Sequence, residues 1–179
     1  MSLTSTIKGA SSSKTRRAAP AGTCPDSLVQ AIRAEVGRGL DWQQTADRVV
    51  GVLRPGLPDP AALLPAVLRR GDPACYQSHL LYAEPDGSFS VSAMVWLPGQ
   101  QTVIHDHVAW CVTCVLQGQE YEEVFALTDS GRTLELVTRH VNPAGTAVGF
   151  APPGDIHRVR NTGDDVAVSM HVYGADISR

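Results

Sequence analysis

Long apolar runs are absent from this chain of 179 residues. No stretch of about 18 apolar residues occurs, so we expect no segment that spans a membrane. A strong charge of one sign is absent too, because the formal net charge is −3 and the sequence pI is near 6. This balance lacks the basic footprint of a nucleic-acid-binding protein. Internal repeats and nucleotide-binding glycine loops are also missing.

The beginning of the chain lacks the apolar stretch that an export signal needs. The first 23 residues are rich in Ser, Thr and Ala, and no uninterrupted apolar run follows the basic pair Arg16-Arg17. We therefore expect a disordered tail over residues 1–24. The expected location is the cytoplasm, where the four cysteines would be reduced thiols.

Cysteine usage gives no strong sign of a zinc knuckle or a redox pair. Cys111 and Cys114 have the C-x-x-C spacing, but they lie in a run rich in β-branched residues. Successive side chains of a strand alternate between its faces, so we expect these two thiols to point in opposite directions. A redox pair or a zinc knuckle would need a turn here instead.

Three short helical patterns follow the expected tail. Asp26 or Ser27 can cap the first helix. The second runs from Asp41, with Trp42 among the residues expected to face inward. The third covers residues 60–70 and contains a proline that is able to interrupt it.

The character of the sequence changes after these helices. Short runs rich in Val, Thr, Tyr and Phe alternate with six turn clusters of Gly, Pro, Asn, Asp and Ser. This pattern predicts roughly seven or eight strands in a sandwich or barrel. Helices that precede the strands disfavour a parallel βαβ sheet. We therefore expect one mainly β domain over residues 25–179, with helices over 25–71 and a β-barrel over 72–179.

Two of the six histidines form the segment His105-Asp106-His107. On a strand, positions 105 and 107 face the same way, so the two imidazoles could bind one metal, with Asp106 on the other face. Imidazole ligands suit iron, zinc and nickel, and the affinity series disfavours Fe(II). These residues therefore predict a metal site but do not name the metal.

Two spaced motifs around the histidines resemble those of the cupin superfamily. Gly99, His105, His107 and Gly118 match the first motif, G-x5-H-x-H-x3-E-x6-G, with a cysteine where glutamate usually stands. The segment P-P-G-D-I-H and a later asparagine resemble the second motif, P-x-G-x2-H-x3-N, whose histidine is His157. The resemblance implies a double-stranded β-helix barrel with a metal at His105, His107 and His157. Three neutral imidazoles would leave about three positions open on an octahedral metal.

A third segment, V-S-M-H-V-Y-G, alternates in polarity. Period-two alternation places Ser169, His171 and Tyr173 on one face and apolar residues on the other. The polar face contains no Lys or Glu, which is unusual for a strand that faces water. We expect these three side chains in a polar barrel interior, with the apolar face covered by the N-terminal helices.

This segment resembles the Ser-His-Tyr triad of the thiol dioxygenases, the cysteine dioxygenase family. The segments H-D-H, W-L-P-G, L-Q-G and H-R-V-R-N match as well, and the likeness runs from about Tyr76 to Ile177. H-D-H-x-x-W and H-V-Y-G-A are especially similar to the bacterial branch that includes 3-mercaptopropionate dioxygenases. The resemblance implies mononuclear Fe(II) and the oxidation of a small thiol, such as cysteine or a mercapto acid, to its sulfinic acid by O2.

The resemblance also implies roles for the triad. Tyr173, oriented by His171 and Ser169, would donate a hydrogen bond to the substrate or to oxygen. A function from another class stays open: a non-catalytic cupin that binds a metal or a small molecule. The Ser169-His171-Tyr173 alignment favours the enzyme, because a binding pocket has no need of this triad. We expect a monomer whose partners are a small thiol and O2.

The residue that would bind a substrate carboxylate stays open. Cysteine dioxygenases carry an arginine in an early Tyr-x-Arg-Asn segment, where this chain has Ser78. Ser78 cannot make the bidentate contact that arginine makes with a carboxylate. The later arginine of the mercaptopropionate branch has no clear match. The remaining candidates are Tyr76, His79, Arg160 and Arg179.

Animal-type cysteine dioxygenases join a cysteine near the ligand histidines to the active-site tyrosine by a thioether. Cys111 lies four residues after His107, and on a regular strand it would face the same pocket as Tyr173. A Cys111–Tyr173 crosslink is one expectation. The other is that Cys111 stays a buried free thiol that packs as a small apolar side chain.

Overall fold

Helices come first and strands follow throughout the part of the chain that a computed structural model describes, residues 22–129 and 131–178. The helices are α1 (Asp26–Val36), α2 (Trp42–Leu53) and α3 (Pro60–Leu63), with 3₁₀ turns at Arg54–Gly56 and Leu68–Arg70. The strands are β1 (Gln77–Ala83), β2 (Ser90–Trp96), β3 (Cys111–Gln117), β4 (Gln119–Leu127), β5 (Leu134–Pro143), β6 (Ala147–Phe150), β7 (His157–Arg160) and β8 (Ala167–Tyr173). The expected tail falls largely on residues 1–21, which lie outside the described residues.

The described strands form two antiparallel sheets. The larger sheet has the order β1-β2-β8-β3-β6, and the smaller sheet has the order β5-β4-β7. Isolated bridges join Gln101 to Arg160 and His105 to His157, so the segment before β3 runs beside β7. The mainly β architecture, with helices first and about eight strands, is confirmed. None of the helices in the described ranges combines the length and apolar character that crossing a bilayer requires.

The helices cover one face of the larger sheet. Ile32 of α1 and Val49 of α2 are fully buried there. They belong to one apolar core with the outward-facing residues of β8, which are Val168, Met170 and Val172. The predicted division of β8 into an apolar face under the helices and a polar face toward the interior is confirmed. Burial of this apolar surface is the main stabilising contribution that the helices make.

Helix α2 lies very close to strand β6. A Cβ atom added to Gly149 would lie 3.1 Å from atoms of both Ala46 and Val50 in α2. The next residue, Phe150, has its ring centroid 5.1 Å from that of His157 in the interior. The missing side chain at position 149 therefore lets the helix pack directly against the strand whose other face reaches the histidines.

The N-terminal ends of the first two helices differ in their capping. The residue before α1 is Pro25, and no side chain caps this helix, so the prediction of Asp26 or Ser27 as the cap is wrong. Asp26 is the first helical residue instead, and its carboxylate lies near the positive end of the helix dipole. In α2 the Asp41 carboxylate accepts a hydrogen bond from the Gln44 N–H at 2.8 Å and so caps this helix.

Two further expectations for the helices are corrected. Trp42 is 48% exposed, although an inward position was expected. It occupies the first turn of α2, and the buried stripe of that helix starts one turn later at Thr45. Helix α3 ends at Leu63 and does not continue through residues 60–70. Leu64 is extended and precedes Pro65, and the residue before a proline is disfavoured in the helical conformation.

Candidate metal centre and hydrogen-bonded triad

Three histidines meet in the barrel interior. His157 is the first residue of β7, and its backbone exchanges two hydrogen bonds with that of His105, at 2.9 and 2.8 Å. His107 follows on an irregular segment. One nitrogen of each ring lies within 4.8 Å of the others. The expected regular strand through positions 105–107 is not formed, and the bridge to β7 brings the rings together instead.

Each of these three rings uses its Nδ1 atom for a hydrogen bond to an oxygen. Carbonyl and carboxylate oxygens only accept hydrogen bonds, so Nδ1 carries the proton in every ring. The Nε2 lone pairs then stay free for a metal. The pairs are His105 with the Val103 carbonyl (3.0 Å), His107 with Asp155 Oδ2 (2.9 Å) and His157 with Glu122 Oε1 (2.7 Å). This donor set fits a metal ion held by three imidazoles.

Burial favours the metal-binding form of two of these imidazoles. Desolvation lowers the pKa of His105 and of His107. For His107 the hydrogen bond with Asp155 acts in the opposite direction, but the net shift is downward. Burial is the largest single effect on the pKa of Glu122 and acts to raise it, but the hydrogen bonds from His157 and Asn142 and the charges of His157 and His140 together outweigh it, and the net shift is downward. A neutral imidazole is the form of histidine that binds a metal.

Sequence reasoning missed the two carboxylates that orient the ligands. Asp155 lies two residues before His157 within the second motif, so its place in that motif could have drawn attention to it. Glu122 has no local signal, because it comes from β4 and its partner is 35 residues away. The antiparallel register of β4 and β7, which pairs Val124 with His157, brings the two side chains together.

The expected triad forms a continuous chain of hydrogen bonds. Ser169 Oγ lies 3.0 Å from His171 Nε2, and His171 Nδ1 lies 3.3 Å from the Tyr173 hydroxyl. The Trp96 indole N–H donates to Ser169 Oγ at 3.2 Å. Burial lowers the pKa of His171 to about 3 and raises the pKa of Tyr173. The chain is therefore neutral at ordinary pH, with imidazole at its centre and a phenol at its end.

The three clustered histidines and the tyrosine end of the triad line one cavity. Its volume is about 380 Å³, enough for a small organic molecule. Besides the three clustered histidines, His171 and Tyr173, its lining residues are Tyr76, Met94, Trp96, Thr102, Val103, Val159 and Ile177. Within residues 22–129 and 131–178, no lysine or arginine lines this cavity. The walls are mostly apolar, and the polar groups are neutral.

The candidate carboxylate-binding residues lie in different places. Tyr76 lines the cavity and stacks on Trp96, with ring centroids 4.4 Å apart. Ser78 and His79 belong to β1 and are not among the residues that line the cavity; Ser78 is exposed. The structure therefore brings only Tyr76 of these three to the histidines.

Arg160 points away from the cavity. A terminal guanidinium nitrogen of Arg160 lies 3.6 Å from the Glu123 carboxylate. Glu123 and Glu122 are neighbours on β4 and point to opposite faces, and it is Glu122 that contacts His157. His157 and Arg160 are three residues apart on one strand, so alternation sends their side chains to opposite faces. Arg179 lies outside the described residues.

Cys111 lies directly across from Tyr173 in the pairing of β3 with β8. Its thiol is fully buried, and burial raises its pKa. Cys114 belongs to the apolar core under the helices, so the two cysteines do face opposite sides of β3, as the sequence predicts. The crosslink between Cys111 and Tyr173 stays a prediction, for which the register is suitable.

Comparison with known families gives a match that covers most of the barrel. A family model described as cysteine dioxygenase type I matches residues 69–178, more than half of the chain. This match and the eight antiparallel strands confirm the predicted cupin barrel with short N-terminal helices. The similarity to the 3-mercaptopropionate branch stays a prediction.

Several solved structures are similar to the chain at low identity. A Cupin 2 conserved barrel domain protein from Salinispora arenicola CNS-205 is 24% identical, covering 57% of this chain and 77% of that chain, with a TM-score of 0.43. An oxalate oxidase is 20% identical over 58% of this chain and 53% of its own, with a TM-score of 0.45. The Cnp3 cupin domain of Schizosaccharomyces pombe is 16% identical over 56% and 61%, with a TM-score of 0.44. The match spans about half the length of the oxalate oxidase.

Proposed function

Because the chain belongs to the cysteine dioxygenase type I family, we propose that it is an Fe(II)-dependent thiol dioxygenase. The proposed reaction adds both atoms of O2 to a small thiol, RSH, and yields the sulfinic acid RSO2H. The observation that carries this proposal is the Ser169–His171–Tyr173 hydrogen-bond chain, which ends at the cavity that the three clustered histidines line. A cupin that only bound a metal or a small molecule would have no use for this chain.

The metal would be held by the Nε2 atoms of His105, His107 and His157. When bound, iron supplies a Lewis acid that favours the thiolate form of the substrate and a redox centre for reaction with O2. Asp155 and Glu122 hold two of the rings in place through their Nδ1–H groups. The protein therefore supplies a preorganised set of neutral ligands, and no separate base is needed to deprotonate the thiol.

Tyr173 is the group of this chain that would act on the substrate. Its hydroxyl is held by neutral His171, which is held in turn by buried Ser169. A phenol with a raised pKa keeps its proton, so it can donate a hydrogen bond to an oxygen or sulfur atom in the cavity. Apolar residues such as Met94 and Val159 restrict the water in this space.

The lining of the cavity indicates which kind of thiol the protein would bind. The cavity has room for a small thiol, but in the described part of the chain it presents no guanidinium or ammonium group to a carboxylate. We therefore expect a high KM for L-cysteine and for 3-mercaptopropionate, or preference for a different small thiol. A low-micromolar KM for L-cysteine would contradict this part of the proposal.

Oxygen uptake with a panel of small thiols tests the proposed function. The Fe(II)-loaded protein should consume about one O2 per thiol and release a sulfinate, while protein loaded with zinc should be inactive. Tyr173→Phe should lower kcat more than it lowers iron content, because it removes a hydrogen bond and keeps the ring. Tyr121→Phe, on the outer side of β4, is the matched control. Iron-loaded protein that oxidises no thiol of the panel would favour the binding protein instead.

A further inference from the structure

A buried carboxyl group lies behind the triad, at the end that is remote from the cavity. Glu120 is only 1% exposed, and its Oε1 atom has no hydrogen-bond partner among the described residues. The carboxyl group lies close enough to the Ser169 and Trp96 side chains for hydrogen bonding with them to act on its pKa. Ser169 is also the partner of His171, so Glu120 extends the triad to four members. The proposed dioxygenase chemistry assigns this fourth member no role.

The surroundings of Glu120 favour its neutral form. Burial raises its pKa to about 7, although the hydrogen bonds with Ser169 and Trp96 act in the opposite direction. The titratable groups that interact with it are Glu122 on β4, His157 on β7, Cys111 and Cys114 on β3, and Tyr173 on β8. Of these, Glu122 raises the pKa and His157 lowers it. A buried carboxyl with one unpartnered oxygen is costly to ionise.

The protonated acid would give the hydrogen-bond chain one direction. Its O–H can donate to Ser169 Oγ, which already accepts from the Trp96 N–H. Both Ser169 lone pairs are then used, so the serine proton must go to His171 Nε2. His171 is neutral, so its proton lies on Nδ1 and is donated to the Tyr173 oxygen, with Thr113 Oγ1 at 3.5 Å as a second acceptor. The Tyr173 proton is left to point into the cavity.

The ionised acid would give the opposite direction. A Glu120 carboxylate can only accept, so it would take the proton of the Ser169 hydroxyl. Ser169 would then accept from His171 Nε2–H, and the bare Nδ1 would take the hydrogen bond of the Tyr173 hydroxyl. In that arrangement Tyr173 offers only an acceptor to the cavity. A group that hydrogen-bonds a substrate anion must donate, so this direction works against the reaction.

We propose that Glu120 is a positioning residue that sets the direction of the Ser169–His171–Tyr173 chain, so that the Tyr173 hydroxyl donates into the cavity. The inference rests on the proposed function, since it assigns Tyr173 the same hydrogen bond. It also commits His171 to the Nδ1–H tautomer, which neutral histidine adopts less readily in water than Nε2–H. The tautomer can be measured without turnover.

Nitrogen NMR of the histidine-labelled full chain, loaded with diamagnetic Zn²⁺, is the experiment that tests this inference. The His171 signals are identified by their loss in His171→Gln. At about pH 6, the wild-type protein should carry the His171 proton on Nδ1, and by about pH 8.5 the proton should move to Nε2. Glu120→Gln can donate to Ser169 through its amide, so it should keep the Nδ1–H tautomer at both pH values. Glu123→Gln, on the opposite face of β4, should behave as the wild type.

Kinetics of the iron-loaded protein give a second readout. The wild-type kcat should fall as the pH rises through about 7, and Glu120→Gln should lose this pH dependence while staying within about threefold of the wild-type kcat at pH 6. Glu120→Leu, which has no donor, should lose about tenfold at either pH. An Nε2–H tautomer in the wild type at pH 6, or a pH-dependent tautomer in Glu120→Gln, would overturn the inference. The expected tautomers in a protein that oxidises no thiol would overturn the proposed function and leave the direction of the chain intact.

Discussion

The two faces of strand β8 are both buried, but they are buried among different partners. Val168, Met170 and Val172 pack with the helices in an apolar core. On the other face, Ser169 and His171 lie in the interior of the barrel, where each has a hydrogen-bond partner. The first face gains stability in proportion to the apolar area that it removes from water. The second avoids a penalty only as long as its polar atoms stay paired.

This difference separates the two effects that substitutions can have on one short strand. A change on the helix side should alter the free energy of unfolding and leave the site intact in the molecules that fold. A change on the interior side should alter metal binding, proton positions or activity, with a smaller effect on folding. The following predictions test this separation, beginning with the largest effect.

The largest effect is expected from removing a ligand on the interior side. His157→Ala should remove most of the bound metal, because two imidazoles then remain where three met. Elemental analysis of the purified protein measures this loss. His140→Ala is the matched control, since His140 is exposed on β5 and should leave the metal content unchanged. Full metal retention in His157→Ala would rule out the three-histidine site.

On the helix side, Met170→Ala should lower the free energy of unfolding by about 2–5 kcal/mol, the usual cost of a large-to-small change in a core. Urea denaturation of the metal-free protein measures it. Metal content per folded chain should stay at the wild-type level. Val141→Ala on β5, where the side chain is largely exposed, should change stability by less than about 0.5 kcal/mol. A loss of metal in folded Met170→Ala would break the separation between the two faces.

Stability should depend on pH through Glu120. Burial raises its pKa from 4.5 to about 7 in the folded protein, so the folded state holds the proton more tightly than the unfolded chain does. The contribution of Glu120 to stability should therefore be lost as the pH rises from about 4.5 to above 7, by roughly 3 kcal/mol. Glu120→Gln has no such proton to lose, so its stability relative to the wild type should rise over this range. Parallel urea titrations at several pH values measure the difference, and equal pH dependence in both proteins would contradict it.

A smaller effect is expected from the carboxylates behind the ligands. Asp155→Ala should weaken metal binding by about 10–100-fold, because His107 loses the acceptor that fixes its Nδ1–H. Competition with a metal-binding indicator measures the affinity. Asp106→Ala removes an exposed carboxylate between the same two ligands and should change the affinity far less. Equal losses in both variants would show that general charge near the site matters more than the orientation of the ring.

The smallest expected change is covalent and involves two hydrogen atoms. If Cys111 becomes linked to Tyr173 during aerobic turnover, the sulfur loses its hydrogen, the tyrosine ring loses one, and O2 accepts both. The linked peptides should then weigh about two mass units less than the separate peptides, and thiol reductants should not reverse the change. Peptide mapping after turnover measures it. Complete alkylation of Cys111 beside unmodified Tyr173 would leave the cysteine as a packing residue.

Local patterns predicted much of the fold and the first layer of the site. The alternation of β8, the two longer helices and the three clustered histidines all depend on short-range periodicity or on spaced motifs. Alternation along β7 also explains why Arg160 cannot face the same cavity as His157. This alternation could have excluded Arg160 as a carboxylate-binding candidate from the sequence alone. Trp42 was misplaced because helical periodicity does not tell where the neighbouring core ends.

The layer behind the ligands could not be predicted from local patterns. Glu120 and Glu122 are alternate residues of one strand, which also fits an ordinary solvent-facing β pattern. Their roles come from the register of β4 with β7 and from the proximity of β8, both of which are long-range properties of the barrel. Such pairings are set by tertiary structure, and no spacing rule in the sequence encodes them.

The glycine of β6 links the spacing between helix α2 and the barrel to the geometry of the metal site. Position 149 separates helix α2 from the aromatic ring of Phe150 by the thickness of a single backbone. An added methyl group would have to displace the helix or the strand by a few tenths of an ångström, and the strand carries Phe150 against His157. Gly149→Ala would not contact the cavity. It would still shift Phe150 relative to His157 and so disturb the metal site from the helix side of the barrel wall.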